Sequence, residues 1–179
     1  MLYSLDIITT PTSYNKLIFP YERSLFMKSQ IKDLLPFLLF PLAVGTVSAL
    51  FTTGSMETFA DLNQPPLSPP GWVFPVVWTI LYLLMGFAAY LVANSGKCSN
   101  NALFFFLLQL FFNFMWSIWF FNCEWYLFSF FWLVALWLLI LATIRAFGAV
   151  SPAAANLLLP YLAWVTFAGY LNLGIYFLN

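Results

Sequence analysis

WVFPVVWTILYLLMGFAAYLVA, residues 72–93, decides the fold: it runs from Trp72 to Ala93 without one acidic or basic side chain. An α-helix rises about 1.5 Å per residue, so roughly 20 predominantly apolar residues carry it across the hydrocarbon core of a bilayer. Working outward, four more stretches meet that condition, at 34–51, 102–121, 125–146 and 153–177, and no charge lies deep inside any of them. Turn and breaker residues stand between them: Asn94-Ser95-Gly96, then Asn122, then Gly148 and Ser151-Pro152. Three of the connections are short, which makes consecutive helices antiparallel neighbours. The predicted fold class is an all-α membrane protein, a five-transmembrane-helix bundle over residues 34–179, behind a flexible N-terminal extension over 1–33.

Composition agrees and excludes much else. Of 179 residues 63% are hydrophobic and 7% charged, against about 25% charged in an ordinary soluble domain, so a water-facing surface cannot be built. Six basic residues are scattered and the formal net charge is zero, which leaves no stripe to follow a phosphate backbone and excludes nucleic acid as a partner. The chain has no His, the usual general base near neutral pH and the commonest neutral metal ligand. No catalytic residue, metal site or cofactor is therefore assigned. Cys98 and Cys123 fall in connections on opposite sides of the membrane and are expected to stay unpaired. The first residues lack the basic, apolar, small order of a cleaved signal peptide. Met27, ahead of Lys28, Lys32 and the first apolar run, reads as a start as good as Met1.

Orientation follows from the charges, because cytoplasmic loops are enriched in Lys and Arg. With five spans, Lys16, Arg23, Lys28, Lys32, Lys97 and Arg145 all fall on one side, whereas Glu57, Asp61 and Glu124 fall on the other. The N-terminus is predicted inside and the C-terminus outside.

One connection is long. Residues 52–71 carry Pro65, Pro66, Pro69 and Pro70 around Leu67-Ser68, and proline both fixes its own φ and disfavours helix in the residue before it. The segment is expected to be extended and stiff, either a spacer or a lid over the outer mouth, with a short helical turn from Met56 to Leu62 capped by Ser55.

The stretch from Gln64 through the prolines, Gly71, Trp72 and Trp78 to Gly86 closely resembles the first-loop and second-helix signature of the translocator protein family, also called tryptophan-rich sensory or peripheral-type benzodiazepine receptor proteins. Gln109, Asn113, Trp116 and Ser117, with Phe120-Phe121, resemble its third helix. Ser151-Pro152, Pro160, Trp164, Ala168 and Asn172 resemble its fifth. The likeness covers residues 34–179 and is of the bacterial type. It implies a compact five-helix bundle in a bacterial cell membrane, binding porphyrins or other flat hydrophobic small molecules beneath the first loop, with room for a homodimer.

Helical spacing sorts the few polar groups inside the spans. Gln109, Asn113 and Trp116 lie at i, i+4 and i+7 on one face, and Trp164, Ala168 and Asn172 stack on another. Amides are costly in lipid unless paired, so both faces are expected to point inward. Asn113 serves there either as interhelical glue or as a ligand contact, and Gln109 as glue. Trp72 and Trp125 stand where interfacial anchors do. The resemblance assigns Trp72 and Trp164 to the ligand pocket, with small Ala168 leaving room for a flat molecule and Phe74, Trp116 and Phe128 as further walls. This chain departs from the family at Thr58-Phe59, where many members have Trp-Tyr, and at Phe177, where many are basic. No Lys or Arg follows Arg145, so the sterol-linked motif is not supported, and span three has no Gly to form a small-residue dimer seam. Besides a porphyrin sensor or transporter, two alternatives stand: a light-dependent porphyrin-degrading enzyme using the same tryptophans, and a structural bundle without a small ligand.

Overall fold

Each apolar run becomes a helix because a backbone without water satisfies its N–H and C=O groups best within one helix. The computed structural model describes residues 15–55, 61–96 and 100–179, with side chains from residue 31 onward. Glu57, Thr58-Phe59, most of the turn expected from Met56, Lys97 and Cys98 lie outside the described residues. Helix α1 is Asn15–Thr52, closed by a 3-10 turn at Thr53–Ser55. Helix α2 is Val73–Ala93, and α3 is Asn100–Ser117, extended by a π turn at Ile118–Asn122. Helix α4 is Tyr126–Gly148, α5 is Pro152–Leu157 and α6 is Leu159–Leu178. No strand occurs among the described residues. Among the described residues, five segments are long and apolar enough to cross a membrane: Ile31–Ser55, Val73–Ala93, Asn100–Asn122, Tyr126–Gly148 and Pro152–Leu178. The protein is an integral membrane protein, and its environment is the lipid bilayer.

The chain divides after Leu35 into two units. Of the first, the described backbone, from Asn15, is helical. The second, Pro36–Asn179, holds the packed core.

Local chemistry sets the helix ends. Ser151 is extended and its hydroxyl accepts from the Ala154 N–H at 3.4 Å, with Pro152 in the first turn, a side-chain cap followed by a residue whose missing N–H costs nothing there. After α2, Gly96 takes a left-handed φ of 67°, the conformation that closes a helix and favours glycine. Span five is interrupted at Leu158, two residues before Pro160, which has no N–H to continue the ladder.

Packing is inside-out relative to a soluble bundle. Met85, Ala88 and Val92 of α2, Leu136 and Ile140 of α4 and Val165 and Ile175 of α6 are fully buried. Ile80 of α2, Phe104 of α3 and Phe131 and Leu138 of α4 are more than half exposed, which in water would be an aggregation hazard and in a bilayer is a lipid contact. Glycine permits the closest crossing. A Cβ at Gly86 would collide with the Phe37 carbonyl, so α1 and α2 approach backbone to backbone there, and one at Gly45 would strike the Tyr82 ring.

The loop-side ends of the spans are tied together. Asn122 donates Nδ2 to the Phe51 carbonyl at 2.9 Å and accepts from the Ser55 hydroxyl at 3.0 Å. The Asn63 N–H donates to Asn179 Oδ1 at 2.9 Å, while Asn179 Nδ2 returns a bond to the Asn63 carbonyl at 3.2 Å.

Candidate functional site

The polar residues inside the spans meet as a chain of hydrogen bonds across α2, α3 and α6. Tyr82 donates its hydroxyl to Asn113 Oδ1 at 2.7 Å, Asn113 Nδ2 donates to the Tyr161 oxygen at 3.1 Å, and Tyr161 donates to Gln109 Oε1 at 2.9 Å. All four side chains are buried. Each bond joins two different helices, and a buried polar group left unpaired would cost about 1–3 kcal/mol. Trp78 lies over this chain, stacked on Tyr82 at 5.6 Å and edge-on to Tyr161 at 6.2 Å.

A second set joins α3, α4 and α6. Trp116 Nε1 donates to Asn172 Oδ1 at 3.2 Å, and Asn172 Nδ2 donates to the Tyr126 carbonyl at 2.8 Å. Trp116 and Asn172 are buried, and Phe120 stacks on Trp116 at 5.4 Å.

The residues expected to form the pocket are thus distributed. Asn113, Trp116 and Ala168 are buried in the bundle. Phe74 meets Trp164 edge-on at 6.0 Å, and Trp164 also contacts Phe167 at 5.7 Å. The Trp164 Nε1 atom is buried and has no hydrogen-bond partner, unlike the indoles of Trp116, Trp132 and Trp137, which donate to Asn172, the Phe112 carbonyl and Thr166. Trp72 stands at the N-cap position of α2, makes no capping bond with its side chain, and is 69% exposed. Phe128 stands apart from Trp164 in a cluster with Trp119, Trp125 and Trp132, at ring distances of 5.6, 5.9 and 6.0 Å. Trp119, in the π turn, is the other tryptophan whose buried N–H lacks an acceptor.

The proline loop is seated on α6. Pro65 is buried against bare backbone: a Cβ at Gly174 would lie 2.6 Å from the Pro65 Cβ. Tyr170 donates its hydroxyl to the Pro66 carbonyl at 2.7 Å. Ser68 turns back on Pro65, and Leu67 between them takes a φ of 67°. Pro69 is half-buried and Pro70, whose carbonyl accepts from the Val73 N–H at 2.9 Å, leads into α2.

Helical spacing found Gln109, Asn113 and Asn172 but missed their partners. Spacing along one helix does not single out Tyr82 or Tyr161, and the only hint was that buried amides require donors or acceptors on neighbouring helices.

Two comparisons bear on this arrangement. The sequence profile of the TspO/MBR family matches residues 37–178. The chain is 41% identical over 142 residues to the tryptophan-rich protein TspO of Chlorobaculum tepidum, covering 77% of this chain and 90% of that one. It is 39% identical over 140 residues to a tryptophan-rich sensory protein of Cereibacter sphaeroides, covering 76% and 86%. It is 37% identical over 144 residues to the translocator protein of Bos taurus, covering 76% and 83%.

Proposed function

The chain belongs to the TspO/MBR family, and from that premise we propose that it is a membrane sensor or transporter-like protein that binds porphyrin-type tetrapyrroles and other flat hydrophobic ligands. In this reading Trp164 and Phe74 grip the ligand, Ala168 leaves it space, and Asn113 and Trp116 form the hydrogen-bonded wall behind. Trp72 and Phe128 stand at the rim. The proline loop is the lid, and the mouth faces outward, with the N-terminus inside a bacterial cell membrane and the C-terminus outside.

The observation that carries the reading is the unpaired Trp164 indole beside Phe74. A buried N–H without an acceptor costs about 1–3 kcal/mol, and a ligand that brings an acceptor recovers that cost while its ring edge packs against two aromatic walls. A tetrapyrrole offers both a large planar surface and oxygen acceptors. The exposure of Trp72 at the head of α2 fits a rim residue that the ligand passes on entry.

Titration of protoporphyrin IX into the purified protein in nanodiscs tests this by tryptophan fluorescence. Saturable quenching is expected, weakened in Trp164→Ala and retained in Trp137→Phe, whose indole is already bonded to Thr166. Linear quenching, or equal quenching in both variants, would defeat the proposal.

A further inference from the structure

Two cavities lie in line between α4 and α6. The first, about 780 Å³, takes in Glu124, Trp125, Tyr126, Phe128, Tyr176 and Phe177 at the loop-side ends of the two helices. The second, about 300 Å³, is lined by Leu133, Val134 and Trp137 of α4 and by Val165, Gly169 and Leu173 of α6, among others. Helical spacing puts Leu127, Phe130, Val134 and Trp137 on one face of α4 and Tyr176, Leu173, Gly169 and Thr166 on one face of α6, so the two cavities lie along the same pair of helix faces. From Phe128 to Trp137 the track runs about 14 Å at the rise of an α-helix. Its floor is bare at Gly169, where a Cβ would come within 3.3 Å of Leu133 Cδ2.

The chemistry changes along this track. Asn179 lines the same mouth as Glu124, and among the described residues lining the two cavities Glu124 is the one with a charged side chain. It stands among aromatic rings at the mouth, a combination that attracts an organic cation through both its carboxylate and the ring faces. The phenol groups of Tyr126 and Tyr176 add donors suited to phosphate oxygens. Below them, apart from Thr166 and the polar tips of Trp137 and Tyr170, the lining is apolar and suited to an acyl chain.

We propose that this groove seats one phospholipid with an ammonium headgroup, its cation held at Glu124 and the surrounding rings and one chain laid over Gly169. The groove shares Phe128 with the proposed ligand rim but not Trp164 or Phe74, so its occupancy is tested apart from ligand binding. Charge complementarity selects the occupant, since a mouth carrying the Glu124 carboxylate favours an ammonium lipid over an anionic one of the same chains.

Native mass spectrometry of delipidated protein, titrated with phosphatidylethanolamine or phosphatidylglycerol of identical chains, tests it. The first bound lipid is expected to favour ethanolamine about fivefold, the scale of one exposed charge or cation–π contact. Glu124→Gln removes that preference. Gly169→Leu would fill the groove but presses on Leu133, so Val134→Trp, at a position 40% exposed, is the cleaner block. It lowers occupancy by both lipids, while protoporphyrin quenching and the melting temperature stay at wild-type values in both the Glu124 and Val134 variants. Equal affinity for the two lipids, a preference that survives Glu124→Gln, or unchanged occupancy in Val134→Trp would each overturn the proposal and leave only annular lipid.

Discussion

The Tyr170 hydroxyl bonds the Pro66 carbonyl at 2.7 Å, so the last span holds the long loop by its proline segment. One such bond contributes about 1 kcal/mol net, too little to decide global stability and enough to shift a local opening equilibrium about fivefold. In Tyr170→Phe we expect exchange of the Ser68 amide, bonded to Pro65 O at 3.2 Å, to quicken by about that factor with little change in melting temperature. Protoporphyrin dissociation should quicken with it if the loop is a lid. Hydrogen exchange read by mass spectrometry checks the first outcome, and stopped-flow fluorescence the second.

Beneath that bond, Gly174 receives Pro65. A Cβ there would lie 2.6 and 2.8 Å from two carbons of the proline ring, a distance that real packing does not tolerate, so Gly174→Ala must push the loop off α6. Overpacking of this kind costs about 1–3 kcal/mol. Limited proteolysis should show new cleavage within residues 62–71, accompanied by a lower melting temperature. Gly148→Ala is the control, because its Cβ would meet Ala155 at an ordinary 3.5 Å and the protein should tolerate it. A loop as resistant in Gly174→Ala as in wild type would contradict the seating described.

Tyr161 is the pivot of the buried chain, accepting from Asn113 and donating to Gln109. Tyr161→Phe strands both amides, whereas Tyr82→Phe strands only Asn113 Oδ1. Bonds between membrane helices are worth about 0.6–1.7 kcal/mol each, so Tyr161→Phe should lose roughly twice what Tyr82→Phe loses. Unfolding in detergent with increasing denaturant measures the order. The reverse order would mean that the amides find other partners.

How much of this was readable beforehand depends on which physical signal carries it. The spans were legible because the bilayer demands a length and an absence of charge, and 72–93 was expected where the structure gives Val73–Ala93. The break at Leu158 had its signal in Pro160. The π turn at Ile118–Asn122 had none. Which aromatic faces inward was poorly legible, because a span apolar all round gives no stripe to read: Trp116 is buried and Trp72 exposed, although both are tryptophans near a span end. Amides behave differently, since Asn113 and Asn172 cannot face lipid without a penalty, and both are buried as expected. Their tyrosine partners depended on contacts between helices far apart in sequence, which spacing along one helix does not encode.

The sharpest test separates the Trp164 ring from its N–H. Trp164→Phe keeps an aromatic wall against Phe74 but removes a buried donor that no protein acceptor meets. Deleting an unsatisfied buried donor relieves its desolvation cost, so the loss of ring volume should be offset in part and ligand-free stability should change by less than about 1 kcal/mol. If the indole bonds a ligand acceptor, the same change should weaken protoporphyrin binding about five- to tenfold, since a hydrogen bond of roughly 1–1.5 kcal/mol is then lost. Stability and affinity thus respond unequally, whereas a purely structural tryptophan would lose stability and keep its affinity. Thermal unfolding and fluorescence titration of the one variant, each against wild type, distinguish these outcomes. Affinity unchanged with stability lowered would remove Trp164 Nε1 from the binding role.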